Sequence, residues 1–133
     1  MSVTDRLLTA MTARDAEAFA VCFARDYDSK QPAHPARAFR GREQVLQNWT
    51  AVFAGVPDFR AELIAHATTG DVEIGEWRWS GTHLDGAAFE MSGVTVLGVA
   101  DDLVQWGRLY MEPVEAEGGA IDEMVRDTYR PPA

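Results

Sequence analysis

The main change in the spacing of hydrophobic and polar positions along the chain falls at Pro57. Before it, apolar residues recur every three or four positions, as they do on one face of a helix. Ser2 stands ahead of Asp5 in N-cap spacing, and Val3, Leu7, Leu8 and Met11 follow at helical intervals, which predicts a first helix. Asp15 can cap a second helix in which Phe19, Cys22 and Phe23 share a face, so two short helices are expected over residues 3–24. In DYDSKQPAHPARAFRG, Pro32 and Pro35 forbid a continuing helix and favour a short extended piece running into a loop. A third helix follows in GREQVLQNWTAVFAGVP, where Val45, Leu46, Trp49, Val52 and Phe53 form one stripe and Gly55 with Pro57 supplies the stop.

After Pro57 the period falls to two, the spacing of strands. Phe59, Ala61, Leu63, Ala65 and Ala67 alternate with Arg60, Glu62, Ile64 and His66 in a first long strand, and TTGD turns the chain. The strand from Val72 to His83 runs into Leu84, Asp85 and Gly86, which suits a three-residue hairpin with its glycine left-handed. His83 then faces Ala87. That register places Trp79 opposite Met91, Gly81 opposite Phe89 and Trp77 opposite Gly93 on one side, with Arg78, Ser80, Glu90 and Ser92 on the other. The last strand, LVQWGRLYME, splits into an inner set of Leu103, Gln105, Gly107, Leu109 and Met111 and an outer set of Val104, Trp106, Arg108, Tyr110 and Glu112. Glycines at 75, 81, 93, 98 and 107 mark places where a sheet bends or bulges. Helices segregated before a curved antiparallel meander make an α+β architecture, with the helices covering the concave face. Residues 120–129 can form a last short helix with Ile121, Met124 and Val125 on one side.

Composition narrows the function. A chain of 133 residues fits a single domain spanning 1–133, and its 47% hydrophobic and 25% charged residues are ordinary globular values. No apolar run approaches the ~20 residues that cross a bilayer, and the N-terminus lacks the basic start and continuous apolar segment of a secretory signal. A soluble, cytoplasmic protein with no membrane partner is therefore expected. The net charge of −9 argues against nucleic acid, which needs a basic surface. The excess acid is concentrated in the strand half: residues 1–60 hold eight Lys/Arg against seven Asp/Glu, residues 61–133 four against fourteen. Cys22 is the only cysteine, so no internal disulfide or thiolate zinc site is possible, and its apolar neighbours suit a buried structural thiol.

The order helix, helix, strand, helix, curved sheet, together with FRGREQVLQNW, GEWRWSGTHLDG and WGRLYMEPV, resembles the SnoaL-like branch of the nuclear-transport-factor-two-like superfamily over roughly residues 3–115. The resemblance implies a conical barrel of strongly curved antiparallel sheet wrapped around N-terminal helices, with a pocket between sheet and helices, commonly in a homodimer. Relatives of that fold include polyketide cyclases, ketosteroid isomerase, limonene epoxide hydrolase, dehydratases and proteins without catalysis. The catalytic patterns of these relatives match poorly. Gln31 stands before Pro32 where the isomerase carries its base, the first helix has no tyrosine, and Leu109 precedes Tyr110 where the hydrolase has an aspartate. Trp77 and Trp79 replace that enzyme's charged pair.

Several residues are left as candidates. His34, in the loop between two prolines, can act as a general base near neutral pH. Asp28, one of two aspartates flanking Tyr27, becomes a proton acceptor if its strand turns it inward; otherwise it faces water. His83 ends the tryptophan face at the same rim, and His66 falls on the polar parity of its strand. No pair of histidines has metal spacing, no glycine-rich phosphate loop occurs, and no metal or cofactor is expected. The expected pocket wall comprises Trp49 and Phe53 of helix three, Trp77, Trp79, Phe89 and Met91 of the hairpin, and Phe59, Leu63, Leu109 and Met111 of the flanking strands. Tyr27, Gln31 and His83 complete it. The row Trp106, Arg108, Tyr110 and Glu112 suits a two-fold interface, in which Tyr and Arg are enriched. The resulting expectation is an apolar pocket for a small hydrophobic or aromatic molecule. The first alternative is a cofactor-independent isomerase, cyclase or dehydratase moving a proton next to a carbonyl of a polyketide or steroid-like substrate, and the second is a protein-interaction module.

Overall fold

The computed structural model describes residues 1–129. The N-terminal helix α1 (Val3–Ala13) is opened by a capping box: the Asp5 N–H donates to Ser2 Oγ at 3.0 Å and the Ser2 N–H to the Asp5 carboxylate at 3.2 Å. Asp15 caps α2 (Ala16–Ala20) by accepting from the Ala18 N–H at 3.0 Å. The second helix is shorter than its apolar pattern suggests. It ends at Ala20, and strand β1 (Phe23–Lys30) begins almost at once, so Cys22 and Phe23 leave the helical face. A short 3₁₀ turn at Pro35–Arg37, the two-residue strand β2 (Phe39–Arg40) and the long helix α3 (Arg42–Gly55) follow.

Four long strands complete the sheet: β3 (Arg60–Thr69), β4 (Val72–Thr82), β5 (Ala88–Ala100) and β6 (Leu103–Pro113). Their order in the six-stranded sheet is β2-β1-β6-β5-β4-β3. Every neighbouring pair is antiparallel except β1 and β6, which run parallel. The β4–β5 hairpin has the register its turn demands. His83 N–H donates to the Ala87 carbonyl at 2.8 Å, Gly86 takes φ +89°, and Trp79 faces Met91, Trp77 faces Gly93 and Gly81 faces Phe89.

Two bulges revise strict alternation elsewhere. In β3, Leu63 pairs with Trp77 and Ala65 with Glu76, so Ile64 is the extra residue. The parity inverts beyond it: Ala65 and Ala67 become exposed, and His66 swings toward Glu73, its Nε2 lying 3.8 Å from Glu73 Oε1. In β6, Gly98 pairs with Trp106 and Val99 with Val104, which makes Gln105 the extra residue. Val104 thereby joins the core and is fully buried, whereas alternation places it outside.

The core lies between α1, α2 and α3 and the concave face of the sheet. On the convex face, Ile74, Val94, Val96 and Trp106 are half-buried and stand apart from that core. A last helix, α4 (Ile121–Tyr129), has no buried residue. No helix among the described residues is long and apolar enough to cross a membrane.

Candidate functional site

Between the helices and the sheet lies a cavity of about 170 Å³. Leu7 and Met11 of α1, Phe19 of α2 and Val45, Asn48 and Trp49 of α3 form one wall; Phe23, Tyr27, Ser29, Gln31 and Phe39 form a second. The sheet contributes Trp77, Trp79, Thr95, Leu97 and Leu109. Aromatic rings pack around it in tilted and edge-to-face pairs, with centroids 4.3 Å apart for Phe19 and Trp49, 4.7 Å for Phe23 and Tyr27, and 5.2 Å for Trp49 and Trp79.

The polar groups in this lining are neutral. Trp77 donates its indole N–H to Thr95 Oγ1 at 2.9 Å, and Trp79 Nε1 is buried with no acceptor among the described residues. Asn48 Oδ1 accepts from Gln44 at 2.7 Å and Gln31 Oε1 from Arg37 at 3.1 Å, which leaves both amide nitrogens to donate. Tyr27 is the only ionisable side chain in the lining, and burial pushes its phenol above the ordinary value, against an opposing hydrogen bond with Ser29 and helped by the charge of Asp28. It is therefore a neutral O–H donor at physiological pH. Its hydroxyl can reach the sheet because position 107 is glycine: a Cβ there would overlap the Tyr27 oxygen.

The residues singled out in the sequence divide into two groups. Tyr27, Gln31, Trp49, Trp77, Trp79 and Leu109 line the cavity. Phe53, Phe59 and Phe89 do not; they fill the adjoining space, with centroids 5.4 Å apart for Phe53 and Phe59 and 5.9 Å for Phe59 and Phe89. Leu63 packs beside Gly75 and Trp77, while Met91 and Met111 belong to the packed core. His83 is exposed on the hairpin and meets Phe89 edge-on at 5.5 Å.

Neither candidate base enters the cavity. Asp28 lies on the opposite side of β1 from Tyr27 and Ser29, because neighbours in a strand point to opposite faces, and sits 3.7 Å from the Arg40 guanidinium. His34 is half-exposed in the loop after β1, with Nε2 2.7 Å from Glu112 Oε1. Among the described residues no three His, Cys, Asp or Glu side chains converge as a metal-binding group.

The polar residues that alternation passes over are Ser29 and Thr95. Ser29 shares the parity of Tyr27, and Thr95 that of Met91 and Gly93, so both follow from the strand registers. Leu7, Met11, Phe19, Phe23, Phe39, Val45, Asn48 and Leu97 gave no such signal, because they read as ordinary core or surface positions until the helices are laid on the sheet.

Comparison with solved structures places this arrangement in a known fold. IdmH of Streptomyces antibioticus, proposed to be a polyketide cyclase, is 23% identical with a TM-score of 0.71, over 83% of this chain and 89% of its own. A protein of Kribbella flavida proposed to be a ketosteroid isomerase is 20% identical with a TM-score of 0.69, over 98% of this chain and 88% of its own. A protein of ketosteroid isomerase-like fold from Catenulispora acidiphila, in complex with trimethylamine, is 19% identical with a TM-score of 0.68, over 81% of this chain and 83% of its own. Likenesses at these identities establish the fold. Curated proteins give no significant match. The SnoaL-like domain model matches residues 4–106, most of the helical layer and the sheet, and the chain therefore belongs to the SnoaL-like family.

Proposed function

We propose that the cavity binds a small, neutral, largely apolar molecule, one ring in size, that offers a hydrogen-bond acceptor. The observation that carries this reading is the lining itself: aromatic and aliphatic walls, several neutral donors, and no carboxylate, histidine, lysine or arginine. A charged ligand would lose its hydration with no counter-charge to replace it. Size supports a single ring. The volume of about 170 Å³ is close to the roughly 150 Å³ apolar cavity that accepts benzene and below the range of about 300–1,000 Å³ usual for drug-sized ligands. A four-ring steroid does not fit this space.

Proton transfer next to a carbonyl is the second reading. It is favoured by Tyr27, a buried neutral phenol suited to a developing oxyanion, and by the names given to IdmH and the Kribbella protein. It lacks a base, since Asp28 and His34 are both outside the lining. We also read the outer-face row Trp106, Arg108, Tyr110 and Glu112 as the surface through which two copies associate. Arg108 stacks over Trp106 at 4.7 Å, and Tyr110 is exposed beside the convex apolar positions.

Trp49, Trp77 and Trp79 line the cavity, so intrinsic fluorescence is a direct assay. Acetophenone should give a saturable change with Kd on the order of 10 μM to 1 mM, while its cationic analogue α-methylbenzylamine and a four-ring steroid should not. Absence of saturation with acetophenone, or equal binding of the amine, would remove this reading.

A further inference from the structure

The helix α4 carries an apolar side with nothing packed on it. Ile121, Met124, Val125 and Tyr129 are 66%, 47%, 44% and 72% exposed. Helical spacing sets these residues together, puts Asp122 and Asp127 at the two edges of that side, and leaves Glu123 and Arg126 behind it. A helix of nine residues is marginal on its own in water, so burial of the apolar side would stabilise it.

The convex face of the sheet offers a matching surface. Ile74 pairs with Val96, Val94 with Tyr110 and Gly98 with Trp106, so apolar residues of β4, β5 and β6 share this face, with Glu76 beside Val94 and Arg108 beside Val96. Arg108 lies among them, between Trp106 and Tyr110, and pairs in register with Lys30 of β1; neither forms an ion pair among the described residues. Two adjacent unpaired cations stand out in a chain of net charge −9. The dimensions agree: three strands spaced about 4.8 Å apart span roughly 10 Å, and eight helical steps of about 1.5 Å span roughly 12 Å.

We propose that α4 docks on the convex strip of a second copy, its apolar side on Val94, Val96 and Trp106 and one of its aspartate edges against Lys30 and Arg108. Within one chain the helix side is exposed and the strip is half-buried, and each copy carries one of each, so a two-fold exchange closes with two equal contacts. This rests on the reading that the convex face joins two copies.

Two measurements separate the proposal from that reading. Sedimentation velocity across micromolar concentrations should show a dimer, weakened at least about tenfold by Met124→Asp, which lies on an exposed helix and should leave the circular dichroism of the body unchanged. Raising NaCl from about 0.05 to about 0.5 M should also weaken it. Mixing Val96→Cys with Val125→Cys chains under mild oxidation should give a disulfide-linked pair that neither variant forms alone; Cys22 is buried and does not compete. Monomer at every concentration overturns both the two-copy reading and the helix exchange. A dimer unaffected by Met124→Asp, or a disulfide in Val96→Cys alone, overturns only the exchange, because the strips would then meet each other. A cross-link confined within single chains of the doubly substituted protein at high dilution also overturns it, since the helix would then cover its own sheet.

Discussion

Glu73 ties the first helix to the sheet, and replacing it should destabilise the protein by an amount that depends on pH. The residue is only 8% exposed and points to the concave face of β4. Its carboxylate accepts the Thr4 hydroxyl at 2.6 Å, the Thr4 N–H at 2.8 Å and the Val3 N–H at 3.3 Å. These are the free donors of the first turn of α1, where a negative charge is favoured by the helix dipole. Thr4 is fully buried, so water cannot replace the lost acceptor. Hydrogen bonds to a charged group contribute about 1.5–3 kcal/mol, and a stranded buried donor costs about 1–3 kcal/mol. Glu73→Gln keeps one acceptor oxygen and should cost about 1–2 kcal/mol, whereas Glu73→Ala should cost about 3 kcal/mol or more.

The effect should depend on pH in a defined direction. Burial by itself raises the Glu73 pKa, but the Thr4 hydroxyl and the Thr4 and Val3 amides outweigh it, with a further lowering from His66, and hold the group below the usual carboxylate range. A depressed folded-state pKa means that the stabilisation is complete above the unfolded value of about 4.3 and is lost as pH falls through the folded one. Urea unfolding of wild type and Glu73→Gln, followed by circular dichroism, should show the full gap at pH 7 and a narrowing gap below about pH 4. Equal stability at pH 7, or a gap that widens on acidification, would refute the role assigned to this carboxylate.

Two other outcomes follow from the same packing. Gly107→Ala places a methyl group on the Tyr27 hydroxyl in a strand held by neighbours on both sides, so it should destabilise by about 1–3 kcal/mol and weaken acetophenone binding as the phenol is driven into the cavity. An unchanged melting temperature would contradict this contact. Cys22 is buried and burial pushes its thiol above the ordinary pKa, so at pH 8 it should react with a disulfide reagent on the order of a hundredfold more slowly than in the urea-unfolded chain. Comparable rates in the two states would show that the thiol is accessible.

How much of this was legible in advance depended on whether a feature is local. The capping residues Ser2 and Asp15, the stripe of α3 and the β4–β5 hairpin each rest on a few neighbouring residues, and there the pattern and the structure agree. Trp77 and Trp79 were placed on one face because Leu84, Asp85 and Gly86 set the register of the hairpin. The bulges at Ile64 and Gln105 are different. Their sequences alternate normally, and nothing local distinguishes the extra residue, so strict alternation puts His66 and Val104 on the wrong faces.

The sequence alone therefore determined the α+β order, the hairpin register and the sharing of one face by Trp77 and Trp79, since these follow from turn chemistry and from periodicities of a few residues. Only the tertiary structure decided which side chains bound the cavity. The parallel pairing of β1 with β6 joins residues far apart in the chain, and it brings Tyr27 and Ser29 over Gly107 while leaving Asp28 on the other side. The same packing pushes Phe59 and Phe89 into filled space and leaves His34 with Glu112 at the surface. Periodicity states which way a residue points relative to its neighbours; what it meets is settled by long-range pairing and by the volume that remains once the helices have closed on the sheet.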